Sequence, residues 1–355
     1  MPSRIESAPR LGGSITVVLF IAILLAFVVQ SELTQYVQTI LGYRQPFFLL
    51  YVVHSSFALI FPLHALYLIL FQGYSAASLR DLLCLLITDH LAPSSPTKFP
   101  FFPFLRLALM CTLGLTLPAL LWYTAITLAS VSDVTAIWNT NAFFAYVISV
   151  KLFGLKWEPR RLLAVLLATL GVIAVVYGGS IADQNEESSV QTPQPSGPLA
   201  GDLLTLVASI GYGLYQVLYK KYAALSTDPD VVSDDLYERL PNGDPAELHS
   251  DSTPLNVTTR QNGVPNPPFG LHANFLTCII GLITLLVLWL PIPFLHYLGA
   301  EPFILPSDME TILVIAGISL SGMIFNAGFM ASLFSLRSQL DLISSLRYFL
   351  GYGGL

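Results

Sequence analysis

Between Ser132 and Phe143 an otherwise apolar stretch carries Thr135, Trp138, Asn139, Thr140 and Asn141. Hydrocarbon offers amides and hydroxyls no partner, so such a run needs neighbouring helices or a wet cavity. On a helix turning ~100° per residue, Thr135, Trp138, Asn139 and Tyr146 share one side, and Asn141 lies about 200° from Asn139. Two readings fit. In one, Asn139 lines a cavity with Thr135 and the rings of Trp138 and Tyr146, a set that binds a solute by stacking and hydrogen bonds without breaking bonds. In the other, both amides simply bond adjoining helices. Tyr123, Tyr215 and Asn326, the last an amide in the middle of a later apolar segment, are further candidates for the same lining.

His54, beside Ser55 and Ser56, is a candidate pore residue. His64 follows ten positions later, about 80° around the helix and about 15 Å along it, so one metal cannot take both. Coming after Pro62, it is expected to satisfy a backbone carbonyl near a kink. Tyr212, Tyr215 and Tyr219 form an aromatic stripe at helical spacing, as useful for packing as for binding. The stripe ends at Lys220 and Lys221, which either snorkel to the surface or draw an anionic solute to the mouth.

Ser132 or Asp133 is expected to cap a helix, and Asp202 to do the same further on. No carboxylate falls mid-segment, which disfavours a proton relay and favours exchange or facilitated diffusion. The three cysteines, Cys84, Cys111 and Cys278, have neither metal-site nor disulfide spacing. No paired acids and no nucleophile with a base are evident, so neither an enzyme nor a cofactor is expected.

The elements that must position these side chains are membrane helices. The chain is 54% hydrophobic and 11% charged, with a mean hydropathy of +0.68, too apolar to furnish a soluble domain's polar surface. Its net charge of -6 gives no basic footprint for nucleic acid. Windows of roughly 20 apolar residues fall at 13–31, 46–71, 104–127, 131–153, 160–179, 201–223, 271–297 and 310–335. The predicted fold is therefore an all-α polytopic bundle of about eight transmembrane helices. Arg4 and Arg10 before Ile15–Val29 also suit a signal peptide, but no small-x-small site follows, so a retained helix is expected.

All lysines and arginines except Arg44 precede the first window or fall in every second gap, and positive charge stays cytosolic. The N-terminus is thus expected in the cytosol. Asn256-Val257-Thr258 lies on the same side, where its sequon is never modified. Residues 1–179 read as a first five-helix repeat, 180–200 as a disordered non-cytoplasmic linker, and 201–335 as a second, incomplete repeat with a disordered cytosolic loop at 226–268. The tail 336–355 is atypical. Gly114–Pro118 aligns loosely with Gly317–Ser321, and the charge pattern gives the two segments opposite directions, as in inverted-repeat transporters. Small residues share one face at Ala164, Ala168, Gly171 and Gly178, and again at Gly317, Ser321, Gly328 and Ser332, as close helix packing requires.

Four stretches carry a resemblance that covers about Gln30 to Ser335. They are Gly42–Phe48 with Tyr51 and His54–Ser56; Ala129–Thr135; Tyr212–Lys221; and Leu288–Pro291 with His296-Tyr297 and Leu305-Pro306. The chain resembles the EamA-type drug/metabolite transporter superfamily and, within it, the fungal relatives of solute carrier family 35, subfamily F. The resemblance implies ten helices in two inverted five-helix halves around a central cavity. It also implies alternating-access transport of a small organic solute, nucleotide sugars in some branches, in an endomembrane such as vacuole or Golgi. Leu336–Leu355, with Arg337, Asp341 and Arg347, departs from the expected ninth and tenth helices, as in a truncated or mis-spliced product or a divergent form. A non-transporting membrane scaffold or regulator is the rival expectation. Expected partners are the solute and the bilayer, with a homodimer as an option.

Overall fold

A computed structural model describes residues 13–92, 98–154, 197–225, 267–268 and 270–327, with isolated positions between 157 and 174. Among the described residues every regular element is a helix. The fifth window, 160–179, lies largely outside them. So do most of the 180–200 linker and the 226–268 loop, the end of the eighth window with Gly328 and Ser332, and the 336–355 tail.

Helix α1 (Gly13–Gln35) runs into a π-helical turn, Tyr36–Ile40. Helix α2 (Pro46–Ser56) starts on Pro46, whose missing N–H costs nothing at a helix N-terminus. A 3-10 turn, Phe57–Leu59, joins it to α3 (Ile60–Gln72), which stops at Gly73 with φ 75°, a conformation that only glycine adopts freely. Next come α4 (Ala76–Leu91), α5 (Phe101–Ile126), α6 (Val131–Asn139) and α7 (Asn141–Phe153). The last helices of the described residues are α8 (Pro198–Tyr222), α9 (Leu271–Val287), α10 (Pro291–Tyr297) and α11 (Met309–Ala327).

Among the described residues four stretches are long and apolar enough to cross a membrane: Ile21–Ile40, Pro46–Gln72, Phe101–Ile126 and Met309–Ala327. Helices α9 and α10, bent by 44°, make a fifth if they form one span. Two further windows are not among these: that at 131–153 is interrupted at Thr140, and α8, one continuous helix, carries Asp202, Lys220 and Lys221. The gap after the second window holds an unexpected helix, α4, capped by Ser75, whose Oγ accepts from the Ser78 amide at 3.0 Å. Its exposed side bears the Arg80–Asp81 ion pair.

The outward faces are apolar, with Leu70 65%, Phe102 81% and Leu286 68% exposed, the surface that lipid rather than water would cover. Hydroxyls within the helices bond their own backbone instead: Thr112, Thr116, Thr205 and Thr277 each donate to the carbonyl four residues earlier, at 2.6–2.9 Å.

Glycines permit the close crossings. Helix α8 lies on α5, Gly211 facing the Pro118 ring and Gly114 the Tyr215 ring, while Gly213 faces the α7 backbone. A Cβ at Gly281 of α9 would collide with the Ala58 amide in the 3-10 turn, and Cys278 Sγ donates to Ala58 O at 3.1 Å. One continuous core, with Leu50, Phe57, Tyr123, Ile126, Ile280 and Ile318 at its centre, joins α1, α2, α5, α6, α8, α9 and α11.

The segment between α10 and α11 straps the N-terminus of α2. Glu301 accepts from the otherwise orphaned amides of Phe47 and Phe48 at 2.9 and 3.0 Å. Gln45 Nε2 and Tyr43 Oη both donate to Ile304 O at 2.8 Å, and the Phe48 and Phe303 rings meet edge to face at 5.2 Å. Burial, and then the Glu301 carboxylate, raise the Tyr43 phenol above its ordinary pKa, keeping it a donor. Burial also raises Glu301, against the two amide bonds that favour its charged form.

Candidate functional site

The site grows from the break between α6 and α7. Ser130 caps α6: its Oγ accepts from the Asp133 amide at 3.1 Å and donates to Asp133 Oδ2 at 2.7 Å. Asp133 is therefore the reciprocal partner of the cap, and the cap lies two residues before Ser132, because α6 begins at Val131. Asp202 departs from its expected capping role as well: α8 begins at Pro198 with no side-chain cap, and Asp202 Oδ1 is buried without a partner.

At Thr140 (φ -67°, ψ -9°) the α-helical pattern lapses for one residue, and the carbonyls there are answered locally. Thr140 Oγ1 donates to Ile137 O at 2.6 Å, and Asn141 Nδ2 donates to Trp138 O at 2.7 Å. Ser209 Oγ of α8 lies 2.9 Å from Thr140 Oγ1 and donates to Trp138 O at 3.3 Å. The break is thus pinned to α8 by hydrogen bonds and by the close approach of Gly213 to Asn141 O.

Beside the break lies a cavity of about 60 Å³, bounded by six helices and the 3-10 turn. Helix α1 contributes Phe27 and Gln30; α2 and the following turn, His54 and Phe57; α5, Leu115, Ala119, Trp122 and Tyr123; α6, Trp138; α8, Tyr212; and α11, Phe325 and Asn326. The rings run on from one another, with centroids 6.5 Å apart for Phe27–Trp122, 6.4 Å for Trp122–Trp138 and 4.8 Å for Trp138–Tyr212. Gln30 Nε2 donates to Tyr123 Oη at 3.4 Å, and Asn326 Nδ2 to Gly322 O at 2.8 Å. His54 stacks on Phe57 at 4.9 Å. His54 Nδ1 and Trp122 Nε1 are buried without a hydrogen-bond partner.

Four of the sequence-predicted residues, Trp138, Tyr123, His54 and Asn326, meet at this cavity. Three stand apart from its lining. Asn139 is exposed, since the helix turn that aims Trp138 inward carries its neighbour away. Thr135 is half-buried with its Oγ1 unpartnered. Tyr215 is buried one turn beyond Tyr212, their rings 6.0 Å apart, and packs against Gly114 of α5. His64 receives a bond from Asn274 Nδ2 at 3.0 Å, a side chain in place of the expected carbonyl.

Sequence reasoning missed Gln30, Phe27, Trp122, Tyr212 as a lining residue, and Phe325. Gln30 had a signal: it is an amide halfway along the Ile21–Ile40 span. Among the described residues no group of three or more His, Cys, Asp or Glu is placed to hold a metal. The arrangement can stack on a solute and hydrogen-bond it, and among the described residues no charged side chain lines it. No protein-family model, curated protein or solved structure matches the chain.

Proposed function

We propose that this chain is a multi-pass membrane transporter of a small organic solute, nucleotide-sugar-like or metabolite-like. In this reading it works by alternating access, as an exchanger or facilitated-diffusion carrier of the drug/metabolite transporter kind. Eight spans are arranged as inverted repeats, with the N-terminus in the cytosol of an endomembrane. The observation that carries the reading is a cavity among α1, α2, α5, α6, α8 and α11, lined by rings and amides, where one helix is interrupted. Interrupted helices at such a cavity are a recurring device of secondary transporters.

Proteoliposomes carrying the full chain should show saturable uptake, accelerated by the same solute on the opposite side, for at least one member of a panel of nucleotide sugars and ring metabolites. Trp138→Ala, folded by its unfolding transition, should abolish it. Absence of saturable uptake across the panel would count for the scaffold reading instead.

A further inference from the structure

We infer that the strap between α10 and α11 is the gate that closes the cavity on its own side, with Glu301 as the latch, an inference that rests on the transporter reading. The order of residues along the helices fixes which side this is. On α1 the lining positions Phe27 and Gln30 come before the fully buried Val37 and Gln38. On α2 the buried Leu49 and Leu50 come before His54, on α5 Ile126 follows Trp122 and Tyr123, and on α11 Ile318 precedes Phe325 and Asn326. All four helices thus put a buried layer between the cavity and the end at which the strap crosses α2. Five of these side chains belong to the continuous apolar core, and the sixth, Gln38, ties α1 to α5 by donating to Tyr123 O at 3.3 Å. A solute passes such a close-packed plug only when the helices part.

What holds them together at that end is polar and close to water. Glu301 accepts from the Phe47 and Phe48 amides, and Tyr43 and Gln45 donate to Ile304 O. Beside them Tyr36 Oη, in the π-helical turn after α1, donates to Glu310 Oε1 of α11 at 2.6 Å. The strap, residues 298–308, is non-helical, and its Ile304 and Leu305 are 64% and 66% exposed, so lifting it uncovers little apolar surface. Water can take over each hydrogen bond broken in this way, those of the α2 amides included. The plug beneath has no such replacement. While the strap is down, the first turn of α2 is fixed to the α10–α11 connection; once it lifts, α2 can draw away from α1 and α11 and open the plug.

Cysteine accessibility tests this without any solute. Ala119→Cys places a thiol in the cavity lining, and Ala300→Cys places one on the exposed strap, marking the strap face and setting the unobstructed rate. The probe is a membrane-impermeant trimethylammonium methanethiosulfonate, added to either face of sealed vesicles carrying the full chain. The chain with neither substitution gives the background of Cys84, Cys111 and Cys278. From the strap face Ala119→Cys should react at least about tenfold more slowly than Ala300→Cys, because only the open fraction reacts. Adding Glu301→Ala, which removes the acceptor of two amides, should speed that reaction about tenfold, and Tyr43→Phe, which removes one bond to Ile304 O, about threefold. Neither should speed the reaction from the opposite face. The inference is overturned if Ala119→Cys reacts from the strap face as fast as Ala300→Cys, if neither variant speeds it, or if both faces speed up alike. Tyr43→Phe keeps the ring, so it carries the test should Glu301→Ala misfold. Faster labelling in the variants without uptake of any solute by the unaltered chain would sink the transporter reading alone. Saturable uptake with labelling indifferent to both variants would sink this inference alone.

Discussion

Replacing Gly213 by alanine should destabilise the protein, while the same change two residues earlier should not. Both glycines lie inside α8, where exchanging Gly for Ala raises helix propensity by about 0.8–1 kcal/mol. At Gly211 the added methyl meets only the Pro118 ring, at 3.2 Å from Cγ, a contact relieved by a shift of a few tenths of an ångström. The propensity gain then stands nearly alone, and Gly211→Ala should be neutral or stabilising by up to about 1 kcal/mol. At Gly213 the methyl lies 2.9 Å from Asn141 O, 3.0 Å from Ala145 N and 3.2 Å from Phe144 Cβ. Two of these are backbone atoms of α7, so relief requires the helices to part. Overpacking of this kind costs about 1–3 kcal/mol, which after the propensity gain leaves a net loss of up to about 2 kcal/mol. Reversible unfolding in mixed micelles measures both variants against the unaltered chain. Because the Tyr212 ring lies tilted against Trp138 at 4.8 Å, Gly213→Ala should also alter tryptophan emission. Equal stability of the two variants would refute the packing of α7 on α8 as described.

Two further outcomes follow from the caps and the strap. Ser130→Ala should cost about 1 kcal/mol in the same unfolding assay, and Ser132→Ala nearly nothing, since Ser130 closes the cap with Asp133. Glu301 titrates above its ordinary value of 4.5, so its protonated form contributes stability that is present below that value and lost as pH rises through the folded-state pKa. The unaltered chain should therefore lose stability relative to Glu301→Gln as pH rises from about 4 toward neutrality. A gap that stays constant with pH would place that carboxylate in water.

The polytopic helical character was legible because apolar windows need only length and composition, and four of them cross the threshold among the described residues. Cavity residues were legible where polarity or an aromatic ring stood out, as at Trp138, Tyr123, His54 and Asn326. Phe27 and Phe325 were not, because a phenylalanine facing a cavity and one facing lipid have the same local sequence. Helix α4 escaped because it is only moderately apolar and contributes chiefly Leu79, Leu83, Leu86 and Ile87 to burial. The strap escaped because the pairing of Glu301 with Phe47 and Phe48 spans some 250 residues and leaves no periodicity.

The fourth window shows how the two kinds of failure combine. A continuous helix puts Asn139 and Asn141 on opposite sides, which forces a choice of which amide serves a cavity. The break at Thr140 dissolves that choice, for it releases carbonyls that must be answered inside the bundle. Asn141, Thr140 and Ser209 answer them, so the polarity that made this window conspicuous mostly maintains the interruption. What the interruption delivers to the cavity is the Trp138 ring, held by a carbonyl with two donors and tilted against Tyr212. The polar run thus matters to the cavity through the aromatic residue it positions.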